Sequence, residues 1–148
     1  MASAELISVG IDIGTTTTQI VISKLLVAEM ATLSAQPQAR YGPARKPRAE
    51  VAKKEVLYQS PVHFTPIDHD GLVQVDELEK LLWADYREAG FTPDRIDTGA
   101  VIITGEAAKG QNAERVLNTV APLAGDFVST IAGPSLEAHL AGRGSGAA

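Results

Sequence analysis

Residues 7–22 have the sequence ISVGIDIGTTTTQIVI, whose pattern predicts two strands and the turn between them. Its odd-numbered residues from Ile7 to Ile13 are isoleucine or valine, and they alternate with the small or polar residues Ser8, Gly10 and Asp12. This alternation is typical of a strand with one buried face. A turn follows at residues 14–16, and the β-branched run over residues 17–22 predicts a second strand. Two strands joined by so short a turn predict an antiparallel hairpin.

A third strand, a helix and a buried strand are predicted downstream of the hairpin. Residues 55–64 have the composition of a strand, and Pro61, which has no N–H to donate, places that strand at an edge or breaks it. The apolar spacing that follows predicts a helix that Asp76 caps and Gly90 ends. The continuous apolar run at residues 100–105 is typical of a strand buried on both faces of a parallel sheet.

The last third of the chain continues the alternation of helix and strand. We expect a helix over about residues 107–121, a strand over residues 126–131, and a last helix that opens at Gly133-Pro134. The element order is then β-β-β-α-β-α-β-α. This order predicts an α/β fold in which helices cover a mixed five-stranded sheet.

Residues 28–54 interrupt this pattern with a basic segment that contains prolines. Periodicity is lost, and proline and glycine accumulate as they do in long connections. We therefore expect a loop, whose basic side chains are Arg40, Arg45, Lys46, Arg48, Lys53 and Lys54. Two roles stay open for it: an arm that binds an anion or docks a partner, or a solvated loop that resists aggregation.

The composition excludes several classes of function. The 148 residues contain no cysteine, which excludes disulfides, thiolate nucleophiles and cysteine-bound metals. The three histidines are scattered, so a metal site built from them is not expected. A net charge of −5 offers no attraction to nucleic acid or to an anionic membrane. Neither a long apolar run nor a signal sequence is present, so we expect a cytoplasmic protein with no nucleic-acid or membrane partner.

The residues with the clearest chemical potential are Asp12, at the end of the first strand, and the turn that follows it. A glycine that permits a tight turn, followed by hydroxyls and backbone N–H groups, can form a nest for phosphate oxygens, with Asp12 holding Mg²⁺ directly or through water. The alternative is an ordinary hairpin turn that carries threonines, with Asp12 as a turn former. The pattern alone leaves both open. It is not a Walker loop, because no Gly-Lys-Ser/Thr follows the strand.

Several segments resemble known families. Residues 9–16 (VGIDIGTT) resemble the first phosphate motif of the ATPase superfamily that includes actin, sugar kinases and heat-shock chaperones. Residues 8–19, 59–66 (QSPVHFTP), 102–109 (IITGEAAK) and 132–137 (AGPSLE) are similar, in this order, to the EutA family of ethanolamine ammonia-lyase reactivating factors. The resemblance implies a ribonuclease-H-like subdomain of the actin-like ATPase fold.

The resemblance also implies an activity, cofactors and a partner. Members of the family are chaperone-like ATPases that use ATP and Mg²⁺ to release damaged cobalamin from ethanolamine ammonia-lyase, so that intact adenosylcobalamin can enter. The partner is that lyase with its bound cobalamin, and the location is the cytoplasm, with association with the ethanolamine microcompartment. Asp12 is then expected to position Mg²⁺, and Gly14, Thr15, Thr16 and Thr17 to contact phosphates. Glu106 is a further candidate for the cleft, with capping of the following helix as its alternative role.

The sequence departs from a complete ATPase in two places. It contains no second loop like Asp-Ile-Gly-Gly-Gly-Thr, and Gly133 stands where heat-shock relatives carry a glutamate before proline. We therefore expect an N-terminal fragment that is inactive alone, with a tail at residues 1–5, a subdomain at residues 6–141 and a flexible tail at residues 142–148. Two alternatives stay open: the N-terminal half of a sugar-kinase-type phosphotransferase, and a non-catalytic docking module.

Overall fold

A mixed β-sheet forms the centre of the structure, a computed structural model that describes residues 3–30, 48–109 and 111–131. Within these described residues, two α-helices and three short 3₁₀ helices accompany the sheet. The strands are β1 (Ser3–Ile13), β2 (Thr17–Met30), β3 (Arg48–Gln59), β4 (His63–Phe64), β5 (Thr98–Ile103) and β6 (Asp126–Ile131), and the α-helices are α1 (Val75–Ala89) and α2 (Ala113–Val120).

The strand order in the sheet is β3-β2-β1-β5-β6, and the short β4 pairs with β2 beside this path. β1 and β2 form the predicted antiparallel hairpin, and β3 pairs antiparallel with β2. β5 runs parallel to both β1 and β6. The predicted α/β class, a ribonuclease-H-like mixed sheet, is therefore confirmed, with β4 as a sixth strand that the sequence pattern merged with β3. The chain breaks between them at Pro61, and β3 is an edge strand, as proline requires.

The hydrophobic core lies between one face of this sheet and the helices. The apolar spacing that predicted α1 matches its buried face, because Leu78, Leu82 and Tyr86 are fully buried. They join one cluster with the odd-numbered residues of β1 and the inner residues of β2 and β5, which are Val9, Ile11, Ile13, Ile20, Ile22, Val101 and Ile103. Burial of such aliphatic side chains contributes roughly 1.5–3 kcal/mol each. The core therefore holds β1 and β5 rigidly at the centre of the sheet.

The ends of α1 confirm one expectation and correct another. Gly90 ends the helix in the left-handed conformation, with φ +71°, as predicted. The predicted cap at Asp76 is wrong, because the helix already begins at Val75 with Gln74 at the cap position. Asp76 instead lies in the first turn, where a carboxylate still interacts favourably with the positive end of the helix dipole.

The second helical region is shorter and more broken than predicted. Instead of one helix over residues 107–121, the structure has a 3₁₀ helix at Gly105–Lys109, then α2, then a 3₁₀ helix at Ala121–Ala124. The sequence has a glycine at position 110, a poor residue for the interior of a helix, which accounts for the late start of α2. One face of α2 is apolar and packs inward: Ala113, Val116 and Val120 are buried and Leu117 is partly buried.

The basic segment at residues 28–54 is not a loop throughout, which corrects the prediction. β2 extends to residue 30 and β3 begins at residue 48, so both ends of the segment belong to paired strands. One register shift lies opposite Val51–Lys53, and residues 50–54 are all exposed, so the segment shows no alternation of buried and exposed positions. Lys53 and Lys54 are exposed on the edge strand β3, where charged side chains discourage further pairing. Arg40, Arg45 and Lys46 lie outside the described residues.

The predicted boundaries at the two ends of the chain meet the structure differently. β1 begins at Ser3, so residues 3–5 extend the strand and pair with β2 rather than form a tail. The predicted last helix and the tail at residues 142–148 lie outside the described residues. Within the described ranges, no helix has both the length and the apolar character needed to cross a membrane.

Candidate phosphate-binding site

The candidate site lies where the central parallel strands β1 and β5 end side by side. Ile13 and Ile103, the last residues of these strands, are partners in the register, and the Thr104 N–H donates to the Ile13 carbonyl oxygen at 3.0 Å. Ligands of open α/β sheets bind beyond the carboxyl ends of parallel strands. The turn at residues 14–16 and the Thr104-Gly105 step therefore occupy the part of the sheet where a ligand is expected.

The turn after β1 is tight and leaves little space for a side chain at Gly14. The Gly14 N–H donates to the Thr17 carbonyl oxygen at 2.9 Å and closes the turn. A Cβ atom at position 14 would lie 3.1 Å from that same oxygen, closer than ordinary contacts allow. The turn that the sequence predicted between the two strands is confirmed.

The four consecutive threonines divide into different environments. Thr18 is buried, and its Oγ1 lies 2.9 Å from Thr65 Oγ1. Thr15 Oγ1 accepts a hydrogen bond of 2.7 Å from the Glu106 backbone N–H, which ties the turn to the segment after β5. Thr16 and Thr17 are exposed. Of the residues predicted to contact phosphate, Gly14 and Thr15 are thus held by hydrogen bonds, and Thr16 and Thr17 are exposed.

Asp12 lies on the exposed face of the sheet, one residue before the end of β1. Its neighbours Ile11 and Ile13 are buried on the opposite face, and Gln19 is its partner across the hairpin. A single carboxylate beside threonine hydroxyls suits Mg²⁺, which is bound through one or two carboxylates together with waters and phosphate oxygens rather than by a protein cage. The described residues contain no cluster of three or more acidic or histidine side chains that could hold a metal unaided. This donor set fits a nucleotide-bound Mg²⁺.

Glu106 lies next to the turn, but its backbone makes the observed contact. It occupies the first turn of the 3₁₀ helix at Gly105–Lys109, and its side chain is exposed. The alternative role as a cap of the following α-helix is wrong, because α2 begins only at Ala113, with Asn112 at the cap position. Gly105, with φ +63°, lets the chain approach so closely that a Cβ there would lie 2.4 Å from Thr15 Oγ1.

Thr65 was not predicted as part of the site, although it contacts the turn directly. Its Oγ1 donates to the Gly14 carbonyl oxygen and its backbone N–H donates to the Thr16 carbonyl oxygen, both at 2.8 Å. It follows β4 and is 51 residues from Gly14 along the chain. No local pattern could reveal this contact. The only sequence signal was that Thr65 lies in the QSPVHFTP segment that resembles the EutA family.

A buried polar cluster lies beneath β4. Asp85 of α1 is only 2% exposed, and His63 Nε2 lies 2.9 and 3.0 Å from its two carboxylate oxygens. The Tyr58 hydroxyl donates to the same carboxylate at 3.4 Å. Burial, and then the negative charges of Asp85 and Glu88, raise the pKa of Tyr58 to about 12. Tyr58 therefore stays a neutral donor to this carboxylate at physiological pH.

Comparison with known proteins identifies the family. The family described as ethanolamine utilisation protein EutA matches residues 4–148. Two curated relatives, from Salmonella typhimurium strain LT2 and Escherichia coli strain K12, are each called ethanolamine ammonia-lyase reactivase EutA and are 44% identical over 147 residues. The matches cover 99% of this chain and 29% of each relative, so the chain spans less than a third of the length of these relatives.

Solved structures with a similar backbone come from Aquifex aeolicus. A Ppx/GppA family member has a TM-score of 0.47 with 14% identity, and a structure of the PPX-GPPA enzyme has a TM-score of 0.46 with 12% identity. Each alignment covers 85% of this chain and 36% of the other. The resemblance found in the sequence motifs is confirmed by the family match over nearly the whole chain: the protein belongs to the ethanolamine utilisation protein EutA family.

Proposed function

We propose that this chain is the N-terminal nucleotide-binding subdomain of a chaperone-like ATPase that reactivates ethanolamine ammonia-lyase. In this proposal the complete protein releases damaged cobalamin from the lyase, so that intact adenosylcobalamin can enter. It acts in the cytoplasm, in association with the ethanolamine microcompartment. Membership of a family whose curated relatives are named reactivases supports the choice of the lyase as partner.

The observation that carries the proposal is the tight turn after β1, held at the carboxyl ends of two central parallel strands. The turn is tied to the segment after β5 through Thr15 and to β4 through Thr65, so its backbone is fixed before a ligand arrives. A turn fixed in this way binds an anion without losing further conformational entropy. An ordinary hairpin turn with solvated threonines needs neither of these long-range contacts.

The chain's own residues have separate roles in binding Mg²⁺-ATP. Asp12 would hold the cation or its waters, and the backbone and hydroxyls of Gly14, Thr15, Thr16 and Thr17 would contact phosphate oxygens. The bound Mg²⁺ supplies positive charge that neutralises the phosphates during transfer. Glu106 is a further candidate for the cleft, because its backbone N–H contacts Thr15 of the turn and its side chain is exposed.

The test is the substitution Asp12→Asn in the complete protein that contains this segment. Asparagine keeps the shape of the side chain and suits the end of a strand, but removes the charge that Mg²⁺ prefers. We expect ATP-dependent reactivation of cobalamin-inactivated lyase to be lost while the melting temperature is unchanged. Asp94→Asn, at an exposed position remote from the turn in sequence, is the matched control and should keep full activity.

Three outcomes distinguish the proposal from its alternatives. Full reactivation by the Asp12→Asn protein would contradict the phosphate-site assignment and favour Asp12 as a turn former. Phosphorylation of an added sugar by the complete protein, without any effect on the lyase, would favour a sugar-kinase-type enzyme. Lyase binding with no response to Mg²⁺-ATP would favour a docking module.

A further inference from the structure

We propose that Thr65 is a positioning residue for the phosphate-binding turn and that the contact between the buried Asp85 and the partly exposed His63 holds it in place. The inference rests on the proposed function, because it assigns a role within the same site. It adds three residues that lie outside the hairpin motif and come from β4, the residue after it and α1.

Thr65 contacts the turn with both its backbone and its side chain. The backbone N–H donates to the Thr16 carbonyl oxygen and Oγ1 donates to the Gly14 carbonyl oxygen, both at 2.8 Å. Oγ1 also lies 2.9 Å from the hydroxyl of Thr18, which donates to it when the Thr65 proton is directed to Gly14. Thr65 is 6% exposed, so water cannot readily replace these bonds.

These hydrogen bonds set the direction of the amides in the turn. A peptide unit is planar and trans, so its C=O and N–H point in opposite directions. Because the carbonyls of Gly14 and Thr16 point to Thr65, the N–H groups of Thr15 and Thr17 point away from it. Thr65 thereby fixes the orientation of two amide donors within the segment proposed to bind phosphate oxygens. A change at Thr65 should alter that orientation without touching the nucleotide.

Thr65 is itself held by the strand before it. β4 pairs with β2 through His63 opposite Thr18 and Phe64 opposite Thr17. On the core side, His63 Nε2 contacts both oxygens of the Asp85 carboxylate, at 2.9 and 3.0 Å. A carboxylate at 2% exposure is costly unless it is hydrogen-bonded, and His63 makes the two shortest contacts with Asp85, with the Tyr58 hydroxyl as a longer third one. Helix α1 is thus connected to the turn through β4.

The first experiment compares Thr65→Val, which keeps the side-chain shape, with Thr65→Ser, which keeps the hydroxyl. Thr98→Val is the matched control, because Thr98 lies at the opposite end of β5 from the turn. Amide hydrogen exchange is measured by NMR without nucleotide, and Mg²⁺-ATP is then titrated. We expect Thr65→Val to speed exchange at Gly14 about tenfold relative to Ile11. We also expect it to weaken Mg²⁺-ATP binding about tenfold, equivalent to about 1.4 kcal/mol.

The controls separate positioning from general destabilisation. Thr65→Ser should restore both values, and Thr98→Val should change neither. Equal effects of Thr65→Val and Thr98→Val, or uniform acceleration across β1 and the turn, would overturn the positioning role. In the second experiment, Asp85→Asn should speed exchange of the Thr65 amide. Unchanged exchange there would overturn the part assigned to Asp85 and His63.

The same experiment distinguishes this inference from the proposed function. If Mg²⁺-ATP causes no spectral change at residues 12–17 of the unsubstituted chain or of the complete protein, the proposed function fails. Selective loosening of the turn by Thr65→Val would still support positioning in that case, because exchange is measured without nucleotide. If Mg²⁺-ATP binds and Thr65→Val leaves both exchange and affinity unchanged, only the positioning role is refuted.

Discussion

Gly105, after β5, lies so close to Thr15 of the turn that we expect Gly105→Ala to lower the stability of the fold substantially. Gly105 has φ +63°, and an added Cβ would lie 2.4 Å from Thr15 Oγ1. Thr15 must then rotate and lose the 2.7 Å hydrogen bond from the Glu106 N–H. Two costs therefore combine: a left-handed conformation for alanine and a broken contact between the turn and the segment after β5.

The magnitude follows from these two costs. A left-handed conformation costs a residue with a Cβ roughly 1–2 kcal/mol. Reduced entropy of the unfolded chain offsets about 0.4–1 kcal/mol of that. Loss of the hydrogen bond adds about 1 kcal/mol. We therefore expect Gly105→Ala to lower the free energy of unfolding by about 2 kcal/mol.

Gly90→Ala is a matched control for the conformational part alone. Gly90 has φ +71°, but an added Cβ there meets nothing within 4 Å. Its expected cost is thus only about 1 kcal/mol. Urea denaturation followed by circular dichroism measures both variants, provided the slope of the transition is unchanged.

A double-mutant cycle isolates the contact with Thr15. In a Thr15→Ala background the obstructing oxygen is absent, so Gly105→Ala should cost no more than Gly90→Ala. Two outcomes would refute this reasoning: Gly105→Ala and Gly90→Ala destabilise the unsubstituted chain equally, or Thr15→Ala leaves the cost of Gly105→Ala unchanged. Either would show that contact between Thr15 and the segment after β5 does not constrain Gly105.

Three further predictions concern the chain as a whole. The chain should fold by itself in one cooperative thermal transition, because its described strands and helices share one core; a broad melt with dye binding would contradict this. ATP hydrolysis by the chain alone should be undetectable, because a single phosphate loop cannot surround the transferred group; steady Mg²⁺-dependent phosphate release that Asp12→Ala abolishes would refute it. Burial raises the pKa of Tyr86 and raises that of Tyr58 to about 12, whereas tyrosines in the unfolded chain ionise near pH 10. The free energy of unfolding should therefore be independent of tyrosine ionisation below pH 10 and fall as the pH rises towards 12. Urea titrations at pH 9 and pH 11 measure that loss of stability, and Tyr58→Phe should make it smaller. Equal stability at both pH values would show that the two hydroxyls ionise alike in the folded and unfolded chain.

Local pattern was sufficient where one element determines its own conformation. The alternation in β1 follows from strand periodicity, and the stop of α1 at Gly90 follows from the left-handed C-cap. The turn at Gly14 was predicted because it separates two runs with the pattern of strands. The continuous apolar run of β5 also indicated a parallel strand, which the pairing with β1 confirms. The predicted burial on both faces is wrong for the described residues, because Val101 and Ile103 are buried whereas Ala100 and Ile102 on the other face are only partly buried. The phosphate motif and the family segments also identified the family, because those residues are contiguous in the chain.

Tertiary structure decided the features that depend on distant partners. Within the basic segment, β2 extends to residue 30 and β3 begins at residue 48 because these strands pair with each other. The sequence did not show this, because residues 50–54 are exposed throughout and do not alternate between buried and exposed positions. Thr65 reaches the turn because β4 pairs with β2, and the buried Asp85 carboxylate finds its hydrogen-bond partners in His63 and Tyr58, which come from other elements. Hydrogen bonds between residues 22 to 51 positions apart leave no periodic signal, since nothing in a local stretch specifies which distant group will be its partner.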